Sequence, residues 1–356
     1  MKKFGKLFFL TVISLSLIFG VFGCSRGAKE EPASAPAPST GDQQAAPAPA
    51  EKIIIKFSHV VAENTPKGQA AIMFEKLAEE KTGGRVDVQV FPNSQLYKDE
   101  DVLSAIQQGN VQMAAPATSV LTKLFPQFEV FDLPFAFSTH EQVQAAMEGE
   151  IGQKLFGLLT EKQLMGLAMW DNGFKHMTSN KKPLIKPEDF AGQKFRVMTS
   201  ALLEAQFKSV DANPTPMAFG EVYSALEQGV IDGQENTLSN IYSKKFHEVQ
   251  KYMTLSAHGY LGYAVITNND FWNGLPEDVR GQLEEALAET TQWVRDSAKK
   301  MNAEELEKIK AGNPKLEIHE LTAEEKAAWM AKMDVTYDMF KDRIGEDLIN
   351  AVKEQR

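Results

Sequence analysis

The sequence predicts an α/β fold in two lobes of similar construction joined by a hinge, and three observations carry that prediction. Strand-helix-strand order recurs along the chain, two distant segments echo one another, and a helical stripe long enough to lie across both lobes follows residue 276. With 43% apolar and 24% charged residues, the 356-residue chain has the material for proper cores.

The chain opens on Met1-Lys2-Lys3, runs through LFFLTVISLSLIFGVF and reaches Gly23-Cys24, so residues 1–23 read as an export signal. Cys24 is the only cysteine and has no internal disulfide partner. Val21-Phe22-Gly23-Cys24 resembles a bacterial lipobox, in which the cysteine is lipidated and becomes the new N-terminus, although Phe22 is bulkier than the usual residue there. The other reading of this stretch is an uncleaved membrane anchor, for which the apolar run is just short. Residues 24–51 are rich in Pro, Ala, Ser and Gln and predict a disordered tether, because they cannot bury enough apolar surface to order themselves.

Folded structure is expected from residue 52. Residues 52–59 form a strand, Asn64-Thr65-Pro66 starts a helix that Gly83-Gly84 ends, and Val86, Val88 and Val90 alternate as a second strand. That order implies parallel pairing through a right-handed crossover. A helix over 99–108 stops at Gly109 before a short strand at 111–115. The same pattern returns later: Val102-Leu-Ser-Ala-Ile-Gln-Gln-Gly109 is matched by Val222-Tyr-Ser-Ala-Leu-Glu-Gln-Gly229. The aromatic run 128–137 is read as core. A strand at 164–170 and the turn Asp171-Asn-Gly-Phe-Lys175 lead into the second lobe, and a strand at 260–267 returns to the first; two such crossings make a hinge.

The second lobe contains strands at 194–197 and 216–219, helices at 200–210 and beyond 221, and then Asp232-Gly-Gln-Glu-Asn236. Arg196 sits at the end of a strand, where open α/β sheets hold ligands. Its fork of donors fits a carboxylate or phosphate, the other reading being an internal acid partner. After Pro276, apolar positions from Val279 to Ile309 keep one stripe until Gly312-Asn313-Pro314. A strand at 316–319 and the capping box Thr322-Ala-Glu-Glu325 follow, and Trp329, Met333 and Tyr337 continue at helical spacing, which places the last helices on one lobe.

The formal net charge of -10 argues against a nucleic-acid partner. No GxSxG, HExxH, GxGxxG or phosphate-loop pattern occurs, and the six histidines lack metal-like spacing. The acidic run 99–101 reads as a solvated helix face. The absence of these patterns weighs against an enzyme without excluding a triad dispersed in sequence, and no cofactor or metal is implied.

Several stretches together carry a family resemblance: Phe57-Ser-His-Val-Val61, Asn64-Thr-Pro-Lys-Gly68, Pro92-Asn-Ser-Gln-Leu-Tyr97, Trp170-Asp-Asn-Gly-Phe-Lys175, Lys194-Phe-Arg-Val197, Pro216-Met-Ala-Phe-Gly-Glu-Val-Tyr223 and Asp232-Gly-Gln-Glu-Asn236. Over nearly all of residues 52–340 the chain resembles the DctP-type extracytoplasmic solute receptors of tripartite ATP-independent periplasmic (TRAP) transporters. That resemblance implies a periplasmic-binding-protein-like fold, with one lobe from 52–172 plus 262–301, the other from 173–261 plus 302–356, and a long helix spanning both. It also implies an organic acid held through its carboxylate by Arg196 and Asn236, with Phe219 packing nearby. Lys175 and Ala117 stand where sialic-acid receptors of the family carry an arginine and an acid, which argues against that ligand. The wording of the motifs looks most like the C4-dicarboxylate receptors for succinate, fumarate and malate. Thr237 departs from the family, which usually has proline after this asparagine.

For the second carboxylate the candidates are Lys175, then Lys67 or His59, with Thr118 as a hydroxyl donor. Lys67 also reads as a solvated lysine and His59 as a satisfied strand-end histidine. A ceiling of about -1.5 kcal/mol per ligand atom leaves room for micromolar capture of a small diacid, which needs about -8 kcal/mol. The implied partners are the small and large integral-membrane permease subunits, driven by ion gradients, with the receptor held to the membrane by the lipid on Cys24. A ligand-presenting sensor and an exported enzyme acting on organic acids are the competing readings.

Overall fold

A computed structural model describes residues 52–354; the segments read as export signal, lipidation site at Cys24 and tether lie outside the described residues. In the first lobe, β1 (Ile53–Ser58), α1 (Pro66–Lys81), β2 (Val86–Phe91), α2 (Asp99–Gln107) and β3 (Met113–Ala114) follow in order. Then come α3 (Thr118–Leu121), a 3-10 segment (Pro126–Asp132), α4 (His140–Glu148), α5 (Glu150–Leu159), β4 (Leu164–Phe174) and β5 (His176–Ser179). The second lobe continues through β6 (Lys194–Val197), α6 (Ala201–Lys208), β7 (Asn213–Pro216), α7 (Val222–Glu227), β8 (Gly233–Asn236), α8 (Leu238–Ser243) and β9 (Tyr252–Leu255). Finally β10 (Tyr260–Asn268), α9 (Asn269–Asn273), α10 (Glu277–Gly312), β11 (Glu317–Glu320), α11 (Ala323–Met333), α12 (Val335–Met339), α13 (Lys341–Ile344) and α14 (Glu346–Lys353) complete the chain.

Among the described residues the strands form two mixed sheets, ordered β2-β1-β3-β10-β4 and β11-β9-β5-β8-β6-β7. The echo seen in the sequence is a repeat of topology. In the first sheet β1 pairs in parallel with both β2 and β3; in the second, β6 pairs in parallel with both β7 and β8. The echoed segments are α2 into β3 and α7 into β8, the same step of each unit. Gly109 and Gly229 end the two helices at φ of 73° and 69°, a left-handed conformation that glycine adopts without the Cβ penalty. Each unit is then extended by an antiparallel strand, β10 beside β3 and β5 beside β8.

The second strand of the second lobe lies at 213–216 rather than 216–219. Pro214 and Pro216 are tolerated in it because β7 is an edge strand, and Phe219–Glu221 turns as a 3-10 segment into α7. Every residue of β10 is buried, as a strand covered on both faces requires.

The chain passes from first sheet to second between β4 and β5 and returns between β9 and β10. The two crossings are tied where Lys175 N–H donates to the Gly259 carbonyl at 2.8 Å. α10 has 36 residues, roughly 54 Å at 1.5 Å per residue. Leu283 and Val294 on it bury in the first core, and Ile309 packs with Met253 and Phe246 of the second lobe. Long as it is, α10 is not apolar: among the described residues no helix is long and apolar enough to cross a membrane.

The C-terminal helices differ from the expectation that they sit on one lobe, as does the assignment of everything after 302 to the second. Trp329 and Met333 of α11 enter the second core, but Tyr337, Phe340, Ile344, Leu348 and Val352 enter the first. The reason is a break in the helix: α11 ends at Met333, so Trp329, Met333 and Tyr337 do not share one helical face. Tyr337 Oη donates to the Pro134 carbonyl at 3.0 Å, and Arg343 Nε to Glu129 Oε2 at 2.6 Å, fixing the tail to the aromatic run. That run is core, as read: Phe128, Val130 and Phe131 are buried.

Candidate ligand cavity between the lobes

Strand alternation decides what Arg196 does. Phe195 and Val197 bury in the second core, so the residue between them faces the opposite side of the sheet. There it lines a cavity of about 300 Å3, walled by Val60, Asn93 and Ala117 of the first lobe and by Arg196, Phe219 and Asn236 of the second. Nε donates to the Met217 carbonyl at 3.0 Å, the one hydrogen bond the Arg196 side chain makes among the described residues. The other guanidinium N–H groups are left to the cavity. Burial lowers the Arg196 pKa to about 10 against the pull of Glu235, Glu100 and Asp99, so the group is a cation at neutral pH. A buried cation without a contacting partner is costly, and an anion that fits the fork relieves the cost.

Asn236 ends β8 beside that fork. Its Oδ1 accepts from Thr237 N–H at 3.1 Å and from Asn240 Nδ2 at 2.8 Å. With the oxygen taken twice, the amide offers the cavity its N–H donors. The Phe219 ring lies 6.0 Å from the Arg196 guanidinium carbon and 5.3 Å from Lys244 Nζ, an aromatic face between two cations.

The other residues named from the sequence sit elsewhere. Lys175 is buried with Nζ 2.7 Å from Glu235 Oε1, and the second oxygen of Glu235 is 2.6 Å from His258 Nε2. Burial pushes the Glu235 carboxyl up, but Lys175 and then His258 outweigh it and hold the group down at about 2. Lys175 is therefore committed to an internal acid, and it is not a wall of the cavity. Lys67 is neither solvated nor on the cavity surface. It is fully buried, donating to the Ala115 carbonyl at 2.8 Å, with Nζ 3.6 Å from the centroid of Tyr263, whose ring does line the cavity. Burial lowers its pKa to about 8 while Asp99 opposes the shift. His59 is buried with neither ring nitrogen hydrogen-bonded among the described residues, and burial followed by Lys67 lowers its pKa to about 3, so it is neutral. Thr118 is buried at the start of α3, next to the wall residue Ala117.

Sequence reasoning missed Asp99, Glu100, Asn240 and Tyr263, all of which line the cavity. The acidic run 99–101 is thus not a purely solvated face. Asn240 had a legible signal, four residues after Asn236 at the start of a helix. Tyr263 had none, because its strand is buried along its whole length and reads as core. Two contacts join the lobes beside the cavity: Lys98 Nζ meets Glu221 Oε1 at 2.5 Å, and Lys244 Nζ donates to Asn93 Oδ1 at 3.1 Å. Among the described residues no group of His, Cys, Asp and Glu side chains is placed to hold a metal ion. The geometry is that of a closed cleft able to grip a carboxylate.

Known proteins resemble this chain over most of its length. The bacterial extracellular solute-binding proteins of family 7 (DctP) match residues 57–343. The chain is 52% identical to the C4-dicarboxylate-binding periplasmic protein DctP of Rhodobacter capsulatus, over 86% of this chain and 92% of that one. It is 47% identical to the C4-dicarboxylate-binding protein DctB of Bacillus subtilis, over 86% and 87% of the two chains. A crystal structure of a TRAP periplasmic solute binding protein from Sulfurospirillum deleyianum with bound succinate superposes with a TM-score of 0.83 at 48% identity, covering 86% of this chain and all (100%) of that one.

Proposed function

The chain belongs to the bacterial extracellular solute-binding proteins of family 7, and from that membership we propose that it is the extracytoplasmic receptor of a TRAP transporter. It captures a C4-dicarboxylate such as succinate, fumarate or malate between its lobes and delivers it to the integral-membrane permease subunits. The observation that carries this reading is the Arg196 guanidinium, a buried cation whose terminal N–H groups have no hydrogen-bond partner among the described residues and which lines the interlobe cavity. One carboxylate sits on Arg196 and Asn236, and the carbon chain lies against Phe219. The second carboxylate faces the first lobe, where the Lys67 charge acts from behind Tyr263. Relatives at 52% and 47% identity are named for C4-dicarboxylates, and the succinate-bound neighbour supports the same ligand class.

Binding needs no chemical step, so the protein acts as a receptor and not as an enzyme. Cys24, at the end of the export signal, is the lipid attachment site that holds it to the membrane. A thermal-shift panel of C4-dicarboxylates, monocarboxylates, sialic acid and neutral sugars tests the reading, since a ligand that binds the native state raises the melting temperature by mass action. Succinate, fumarate or malate should raise it in the native protein and leave Arg196→Ala unshifted. Stabilisation by sugars alone, or an undiminished shift in Arg196→Ala, would overturn the assignment.

A further inference from the structure

A hydrogen-bonded relay that begins in the other lobe reaches the residues that follow Asn236. Asn172, near the end of β4, is fully buried; its Nδ2 donates to Thr237 Oγ1 at 2.9 Å and to Tyr263 Oη at 2.9 Å. Its Oδ1 accepts from Ser239 Oγ at 3.1 Å. The Asn172 main chain is clamped as well. Asn302 of α10 donates through Nδ2 to the Asn172 carbonyl at 2.6 Å and accepts from Ser239 N–H at 2.9 Å through Oδ1. A carboxamide with both donors used and its oxygen engaged has little freedom to turn.

Of the residues it grips, Thr237 directly follows Asn236 and Ser239 stands two residues further on, and Thr237 N–H is one of the two donors that occupy Asn236 Oδ1. We propose that Asn172 and Thr237 are positioning residues for ligand capture, holding the Asn236 amide so that it presents N–H and not C=O to a carboxylate. The relay also makes one unit of Asn236 in the second lobe and the cavity-lining Tyr263 in the first. Neither positioning residue lines the cavity. The proposal rests on the dicarboxylate-receptor reading.

Isothermal titration with succinate tests it on four proteins: the native chain, Thr237→Val, Thr237→Ala and Thr237→Ser. Valine and alanine keep the N–H and delete the hydroxyl that Asn172 grips; serine keeps both. We expect the dissociation constant to rise about tenfold in Thr237→Val and Thr237→Ala and to stay within about twofold of native in Thr237→Ser. Alanine also serves should valine fail to fold. The relay is overturned if the variants lacking the hydroxyl bind succinate as the native chain does. It is equally overturned if Thr237→Ser is weakened as much as they are. Absence of succinate binding in the native chain removes the receptor reading itself, and the proposal with it.

Discussion

Arg196, near the end of β6, and Lys175, in the crossing between β4 and β5, both bury a basic side chain, and the difference between them lies in their neighbours. Lys175 has Glu235 at 2.7 Å; Arg196 has a backbone carbonyl and a cavity. A buried pair of the first kind is held by mutual compensation, so removing one partner strands the other charge. Lys175→Met should destabilise the fold by about 3–5 kcal/mol in denaturant unfolding while leaving the cavity wall in place. The companion Glu235 is held below its ordinary pKa, at about 2 against 4.5. Its contribution is therefore complete above about pH 4.5 and is lost as pH falls toward 2. Unfolding midpoints followed across that window should fall in the native chain and fall less in Lys175→Met. The motif around Lys175 made it look available for ligand, because spacing along a strand says nothing about which acid lies across the sheet. Arg196, Asn236 and Phe219 were legible as a set, and they do share one cavity.

At the scale of elements, what the sequence revealed was governed by local signals. Proline and threonine at 65–66, valines alternating at 86–90, and the capping box at 322–325 each act within a few residues, and the corresponding helix starts and strand are present. The paired echo at 102–109 and 222–229 located equivalent steps of two β-α-β-α-β units. That equivalence yields a matched prediction. Gly109 and Gly229 both adopt positive φ with open space where a Cβ would stand, so Gly109→Ala and Gly229→Ala should each cost about 1–2 kcal/mol, through backbone strain alone. Thermal or urea unfolding of the two variants should show similar losses; a loss confined to one would mean that the two turns are not equivalent. What stayed illegible depended on partners distant in sequence: the split of the C-terminal helices between two cores, and the first-lobe wall contributed by Asp99 and Tyr263.

For the whole molecule, three connections join the lobes: the paired strand crossings, α10, and the passage from α11 to α12. Beside the cavity, Lys98 with Glu221 and Lys244 with Asn93 also join the lobes. Exposed pairs of that kind contribute about 0–1 kcal/mol, too little to hold a cleft shut alone. A ligand that contacts both walls supplies the differential affinity that favours the closed state. The overall charge of -10 does not oppose capture of an anion, because bulk charge is screened over about 10 Å while Arg196 is in the cavity wall itself. The most direct measurement is a crystal structure of the protein grown with succinate. One carboxylate should be forked by the terminal nitrogens of Arg196, with Asn236 Nδ2 within hydrogen-bond distance and the lobes closed around the diacid. Succinate bound outside the interlobe cavity, or inside it with no carboxylate on Arg196, would rule out Arg196 as the carboxylate-binding residue.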